Sequence, residues 1–376
     1  MPSVAVISDN MISSLGFTTE EHFEKLKKGQ SGVLAKNNFG RLTGAFSISA
    51  IDNERLQKAS ETLKIVQGYT RLEQLLILSI TDALKRCHID VSKANTAFVL
   101  SSTKGNINLI QQPNPSAQIH LRQTGRRIQE YFRNPNTPVL VCNACISGVM
   151  AAIVGARLIR MGKYEHVVVA GADILSEFIL SGFAALKAVS EAPCRPFDKD
   201  RTGISLGEGC ATLVLSAHAQ STSDIQILGG SISNDANHIS GPSRTGSGLQ
   251  QAVRNALAAS GNPTVDFISA HGTATLYNDE MEAKAFNAVG LNEVPLNSFK
   301  GYWGHTLGAA GVLEIVASCA SMRNDTLIES AGYAASGVSL PLNIIEAPAS
   351  AAIQTCLKTS SGFGGCNGAV VLQKND

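Results

Sequence analysis

The chain has 376 residues, of which 44% are hydrophobic, 16% charged and 5% aromatic, with 34 glycines and a formal net charge of +1. That is enough for one large or two ordinary domains with a substantial buried core, and the composition is globular, neither disordered nor fibrous. A charge so near zero calls for neither nucleic acid nor an anionic membrane as partner. No apolar run reaches the length of a membrane span.

The first residues, MPSVAVISDNMISS, lack a basic region followed by an apolar core, so no secretory leader is expected. SVAVIS reads as a strand. Residues 19–29 and 70–86 have helical periodicity, the second with Leu72, Leu75, Leu76 and Ile80 on one stripe. TAFVLSS is a buried strand. The stretch 104–136 is the least regular, with QQPNPS followed by LRQTGRRIQEYFRNP. TPVLVC at 137–142 is a strand, and 146–161 a helix of small and aliphatic residues with Gly162 as its C-cap. HVVVAGAD and ATLVLS are further strands. Strands alternating with helices indicate an α/β fold with much parallel sheet.

An internal echo follows. Around 138–162 the order is apolar strand, short Cys/Gly loop, small-residue helix, then Met161-Gly162-Lys163. Around 294–324 the same order returns as VPLNS, FKGYWGHTLG, AAGVLEIVASCASM and Arg323-Asn324. The repeat is one of pattern. It predicts two related halves, 1–222 and 223–376, meeting near the polar AQSTSD. Helices so rich in Ala and Gly belong at the centre of a layered sandwich.

The eight cysteines are scattered, and no second pair follows Cys142 and Cys145 at zinc-like spacing. Reduced thiols in a cytoplasmic enzyme are the plain reading. Cys145 is either a small core residue or a nucleophile. It sits at a strand-to-helix junction, where free N–H groups favour a thiolate, and Ser147 and Gly148 allow the sharp turn that exposes a nucleophile. Cys142, in the strand, reads as a packing residue, and Cys366 as structural.

His271 ends the strand of ISAHGTAT, where ligands of α/β folds bind. Thr273 and Thr275 could donate hydroxyls to a polar ligand arm, and Asp279 and Glu282 open the next helix, favourable at an N-terminus without any function. Alone, His271 also fits a satisfied structural histidine. Lys300 and His305 lead into a buried helix; His305 either caps it or donates from Nε2 to a developing oxyanion. SSGFGGCNG at 360–368 is a tight turn whose N–H groups could form half of an oxyanion hole. The glycines at 203–209 read as a β-turn.

The order Cys145, His271, Lys300, His305, GFGG is not ordinary. With SLG at 14–16, GQSGV at 29–33, ACISG, RPFDKDRTGISLGEG at 195–209, AHGTAT, KGYWGHTLGAAG and GFGGCN, the chain resembles the elongating β-ketoacyl synthases of the thiolase-like superfamily nearly end to end. The resemblance implies a five-layered α/β/α/β/α sandwich of two related halves. It implies that Cys145 accepts an acyl group from the phosphopantetheine of an acyl carrier protein, with no cofactor or metal of its own. His271 and His305 would stabilise the enolate left by decarboxylation of a malonyl thioester. Cys145 and Phe363 N–H groups would form the oxyanion hole, and Phe363 would gate entry. Thr273 and Thr275 would hold the pantetheine; Lys300 and Glu282 would pair behind the histidines, with Asp279 beside them.

The partners implied are the carrier protein and a second subunit: a homodimer, or a heterodimer in which this chain is the active member beside a ketosynthase-like chain-length factor. A CoA-dependent thiolase-like acyltransferase is the other reading; it is disfavoured because relatives of that kind have Asn at the second histidine. Carrier proteins are acidic, so Lys58, Lys64, Arg71, Arg122, Arg126 and Arg127 are expected docking residues. The chain departs from the family pattern in its short 104–136 segment, in SSTKG at 101–105, and in Ser361 and Leu276, which replace a bulky aromatic and a proline. These departures point to a specialised branch such as polyene or aryl-primed synthesis.

Overall fold

A computed structural model describes residues 4–112 and 117–374. Four residues of QQPNPS therefore lie outside the described residues. The ten strands of the main sheet are β1 (Ala5–Ile12), β2 (Thr96–Ser101), β3 (Val139–Val141), β4 (His166–Asp173), β5 (Gly209–Ser216), β6 (Ile225–Asn234), β7 (Phe267–Ser269), β8 (Leu296–Asn297), β9 (Thr355–Gly362) and β10 (Cys366–Lys374). Their order is β3-β2-β4-β5-β1 followed by β6-β10-β9-β7-β8. Six helices connect them: α1 (Arg71–Lys85), α2 (Leu121–Tyr131), α3 (Ser147–Arg160), α4 (Ser247–Ala259), α5 (Leu276–Ala288) and α6 (Ala310–Arg323). Each run of five strands thus has the chain order β-α-β-α-β-α-β-β and the same pairing. The inner three strands are antiparallel and the outer pairs parallel. The runs join where Ala5 and Val6 of β1 pair with Gln226 and Ile225 of β6, and Ile227 N–H donates to Val4 O at 2.8 Å.

Alternation along the strands builds the layers. Ala97 and Val99 of β2 face the central core, whereas Phe98 and Leu100 face the cluster under α1. Val370 and Leu372 of β10 face the centre; Ala369 and Val371 pack with α4 and α5. The central core also takes in α3 and α6, so the order is outer helices, first half-sheet, α3 and α6, second half-sheet, outer helices. This is the expected five-layered thiolase-like sandwich. Every residue from Ala310 to Met322 is buried, as befits a helix apolar on all sides. Local signals set the boundaries: a Thr70–Glu73 capping box opens α1, and Gly162, at φ 66°, ends α3 with Lys163 N–H donating to Leu158 O. None of the helices is long and apolar enough to cross a membrane, among the described residues.

Two expectations are corrected here. LRQTGRRIQEY is not irregular but forms α2, because Thr124, Gly125 and Ile128 make a buried stripe, with Gly125 set against Leu140. Cys142 is not a core residue. It lies just past β3, the sheet's edge strand, and is exposed.

The central layer rests on one backbone contact. A methyl on Gly148 of α3 would lie 2.6 Å from Val312 N and 2.9 Å from Gly311 Cα; one on Gly311 of α6 would lie 2.3 Å from Val149 N. No side chain can yield there, so the two helices cross at van der Waals contact of their main chains. Gly311→Ala is expected to destabilise the fold by about 3 kcal/mol or more, read by denaturant unfolding. By contrast, Gly182→Ala, in the helix Glu177–Ala185 with nothing within 4 Å of the new methyl, should stabilise by about 0.5–1 kcal/mol.

Candidate active site

The two crossing helices start at the same end of the sandwich, and each is preceded by a loop that leaves a strand's carboxyl end. The β3–α3 loop carries Cys145. Ala144 before it has φ 43°, a left-handed conformation for a residue with a side chain, which turns the thiol sharply off the strand. Ser147 pins the turn: its Oγ accepts from Asn143 N–H at 2.8 Å and its hydroxyl donates to Ala144 O at 2.6 Å. The topologically equivalent β8–α6 loop carries Lys300 and His305. His271 follows β7.

The segment at 203–209 is more than a β-turn. His305 N–H donates to Ser205 O at 2.7 Å, and Gly207 N–H donates to His305 O at 3.0 Å. This clamp requires glycine at 207, since a methyl there would lie 2.0 Å from Trp303 O. A spacing of glycines does not disclose such a long-range bridge. Asp173, at the end of β4, closes the far side by accepting from Gly308 N–H at 2.7 Å and from Ser102 and Thr103.

Cys145, His271 and His305 converge, with the Cys145 sulfur and one ring nitrogen of each histidine all within 4.8 Å of one another. The rings of His271 and His305 meet edge to face, with centroids 5.1 Å apart. They line a cavity of about 500 Å³ together with Thr273, Thr275 and Phe363. Thr273 Oγ1 and Thr275 Oγ1 are 2.9 Å apart. Phe363 is 37% exposed and stacks on Phe183, centroid to centroid 5.6 Å, at the cavity wall. The turn carrying Phe363 abuts Cys145: a methyl on Gly362 would lie 3.0 Å from Cys145 N.

The tautomers follow from hydrogen bonds. Lys300 Nζ, which can only donate, is 3.2 Å from His271 Nδ1, and Leu307 N–H donates to His305 Nδ1 at 3.1 Å. Both rings therefore carry their proton on Nε2, and His305 Nε2 is buried with no partner. Burial, then Lys300, holds both imidazoles well below the usual range, so they are neutral. Three donor atoms this close could close on a metal, but both Nε2 atoms are committed as N–H donors. The set fits hydrogen-bond donation better than ligation.

Lys300 does not line the cavity. It is wholly buried, donates to His271 O at 2.5 Å, and pairs with Glu314 Oε1 at 2.7 Å. The expected Lys300–Glu282 pair is corrected accordingly. Glu282 instead accepts from the His271 and Gly272 N–H groups at 2.8 and 2.7 Å, fixing the loop. Asp279 accepts from Thr273 N–H at 3.0 Å and Phe197 N–H at 2.7 Å. Both carboxyls are pushed up, chiefly by burial. Glu314 and its second partner, Lys358, 2.5 Å from Oε2, were missed. Glu314 is the one charge in the apolar run VLEIV, which could have marked it, whereas Lys358 precedes Thr359, Ser360 and Ser361 and nothing local marks it.

The basic residues expected at a docking surface do not border this cavity. Arg71 is bound to Glu208 at 2.5 Å, and Arg127 to the buried Glu73 at 3.0 Å. Arg126 pairs with Glu130 at 2.7 Å, while Lys58, Lys64 and Arg122 face solvent.

Comparisons with known proteins bear on this arrangement. Residues 131–221 match the β-ketoacyl synthase N-terminal domain and residues 225–334 the β-ketoacyl synthase C-terminal domain. The 3-oxoacyl-(acyl-carrier-protein) synthase 2 of Rhizobium meliloti (strain 1021) is 31% identical over 100% of this chain and 99% of its own. The chain belongs to the β-ketoacyl synthase family. As a 3-oxoacyl-acyl-carrier-protein synthase it is an acyltransferase. The family's relatives serve fatty-acid and polyketide synthesis. A tetracenomycin polyketide synthase ketoacyl synthase alpha subunit of Streptomyces glaucescens is 32% identical over 62% of this chain and 59% of its own. Among solved structures, a chain of the complex of ketosynthase ApeO with its chain length factor ApeC from Xenorhabdus doucetiae superposes with a TM-score of 0.86 at 25% identity, covering 99% of this chain and 98% of the other.

In a β-ketoacyl synthase a reactive thiolate would be the simple expectation at a helix N-terminus, but burial wins here. It pushes the Cys145 thiol up to about 12, and neighbouring Cys366 adds to this, against Lys300 and the Phe363 N–H. The resting group is a thiol. Alkylation of Cys145 by iodoacetamide, followed by peptide mass mapping so that exposed Cys142 is counted separately, should climb about tenfold per pH unit between pH about 7 and 10. A plateau below pH about 8.5 would contradict the burial argument.

Proposed function

We propose that Cys145 is the acyl acceptor and that His271 and His305 are the enolate donors of a decarboxylative condensation. The observation that carries this reading is one buried thiol within 4.8 Å of a ring nitrogen from each of two neutral imidazoles, all three residues lining the same cavity. Cys145 sulfur attacks the acyl thioester of a carrier; the new S–C bond forms, the pantetheine C–S bond breaks, and the thiol proton leaves with the pantetheine sulfur. A malonyl thioester then enters past Phe363, with Thr273 and Thr275 along its pantetheine. Its C–C bond breaks to release carbon dioxide, and the enolate oxygen accepts from both Nε2–H groups. The carbanion attacks the acyl carbonyl, whose oxyanion is held by the Cys145 and Phe363 N–H groups. Collapse expels the cysteine sulfur as a thiolate, which takes a proton from water to restore the resting thiol, and yields a 3-oxoacyl thioester two carbons longer. Lys300, Glu282 and Asp279 act through the histidines and the Thr273 loop.

The reaction takes place in the cytoplasm, and residues 1–222 and 223–376 are its two halves. The second subunit is another ketosynthase-like chain, either a copy or a chain-length factor. The exposed edge strand β3, with Val139 37% exposed, supports such an association. Small Ser361 in the cavity wall supports a specialised acyl substrate. Lys58, Lys64, Arg122 and Arg126 remain candidates for carrier docking at a distance from the cavity.

Intact mass after incubation with a panel of acyl-carrier thioesters is expected to show one acyl adduct, absent in Cys145→Ala and discharged by malonyl carrier. No adduct with any thioester, from the chain alone or co-expressed with a ketosynthase-like partner, would overturn the reading.

A further inference from the structure

Lys358 is a second lysine behind the histidines that the reaction above does not use. It lies on β9 between Leu357 and Thr359, wholly buried. Its Nζ is 2.5 Å from Glu314 Oε2, in ion-pair contact and not as an aligned hydrogen bond. It also donates to Ser269 O at 3.2 Å and Ala270 O at 3.1 Å, the two residues that lead into His271. Glu314 takes Lys300 on its other oxygen, and Lys300 in turn donates to His271 Nδ1. Lys358 therefore grips the histidine from both sides, through its backbone and through the carboxylate that holds its lysine.

Charge balance does not require it. Glu314 is already matched by Lys300, and a buried ammonium is costly to desolvate. Two cations thus share one carboxylate directly behind the two imidazoles. The other charged or titratable groups facing these rings are Glu282, Asp279 offset by Arg201 at 3.7 Å, Cys145, and Asp173 beneath the Gly308 turn.

We propose that Lys358 is a positioning residue of the condensation, whose buried cation keeps His271 and His305 unprotonated as Nε2–H donors while it fixes the strand end that carries His271. The inference rests on the reading of both histidines as enolate donors. Its cation acts in the same direction as burial and Lys300, which hold both rings well below the usual histidine range. The sign is definite. Removing a nearby cation favours the protonated imidazole, so the acid limb of the reaction moves to higher pH.

The test is malonyl-carrier decarboxylation against pH by the full chain, with Cys145 acylation by intact mass and thermal unfolding measured alongside. In Lys358→Met, the ratio of the rate at pH about 5.5 to that at pH about 8 is expected to fall roughly tenfold below wild type. The double variant Lys358→Met/Glu314→Gln removes one charge of each sign and leaves Lys300 as the single cation. It should recover the wild-type ratio, although two more groups of the cluster are gone than in wild type. A purely structural role predicts the reverse, with the double variant worse than the single. A Lys358→Met profile that overlays wild type, or a double variant whose ratio falls further, overturns the proposal. If Lys358→Met does not fold, the double variant decides: a wild-type ratio supports the proposal and a fallen one overturns it. A wild-type chain that neither acylates at Cys145 nor decarboxylates overturns the underlying reading, and this inference with it.

Discussion

The main-chain contact between Gly148 and Gly311 is the constraint on which the rest depends. It lets α3 and α6 cross without a layer of side chains between them, so the loops preceding the two helices come together at one end of the sandwich. One loop brings the thiol and the other brings Lys300 and His305. The duplicated strand order makes these loops topological equivalents. Cys145 from one run of strands thus meets His271 and His305 from the other because the same strand–loop–helix unit is used twice, back to back. Any side chain at the crossing would widen the gap between the two loops and separate groups that now lie within 4.8 Å.

The electrostatics follow from this burial. The centre of a sandwich is a poor place for charge, so the thiol stays protonated and the imidazoles neutral. Neutral imidazoles suit donors that must meet charge only when an enolate forms. The cost of ordering them falls on groups outside the cavity. Glu282 and Asp279 hold the His271 loop by its N–H groups, Asp173 holds the turn after His305, and Glu314 anchors the lysine that sets the His271 tautomer.

Much of the fold was legible because it is written in local pattern. The strands TAFVLSS and HVVVAGAD, the helix after ACISG and the echo at VPLNS–KGYWGHTLG all carry period, caps or composition that survive without tertiary context. The Cys145 elbow was legible from Ser147 and Gly148 for the same reason. What was missed depends on long-range contact. Glu314 lies in an apolar helix and Lys358 in a buried strand, and the paired residues are 14 and 44 residues apart in the chain. Lys300 does not pair with Glu282 because Glu282, in the second turn of α5, is spent on the backbone N–H groups of His271 and Gly272. Arg71 and Arg127 read as surface charges, yet each answers a buried carboxylate that the sequence does not announce. Cys142 was assigned to the core because its strand is apolar, whereas the strand is an edge.

The central claim is a division of labour: the first half supplies the acyl acceptor and the second half the donors for decarboxylation. Carbon dioxide release from malonyl carrier, measured in Cys145→Ala and in His305→Ala, tests it most directly. The account predicts that release persists within about tenfold in Cys145→Ala and falls about 10²–10³-fold in His305→Ala. Equal loss in both variants would contradict it.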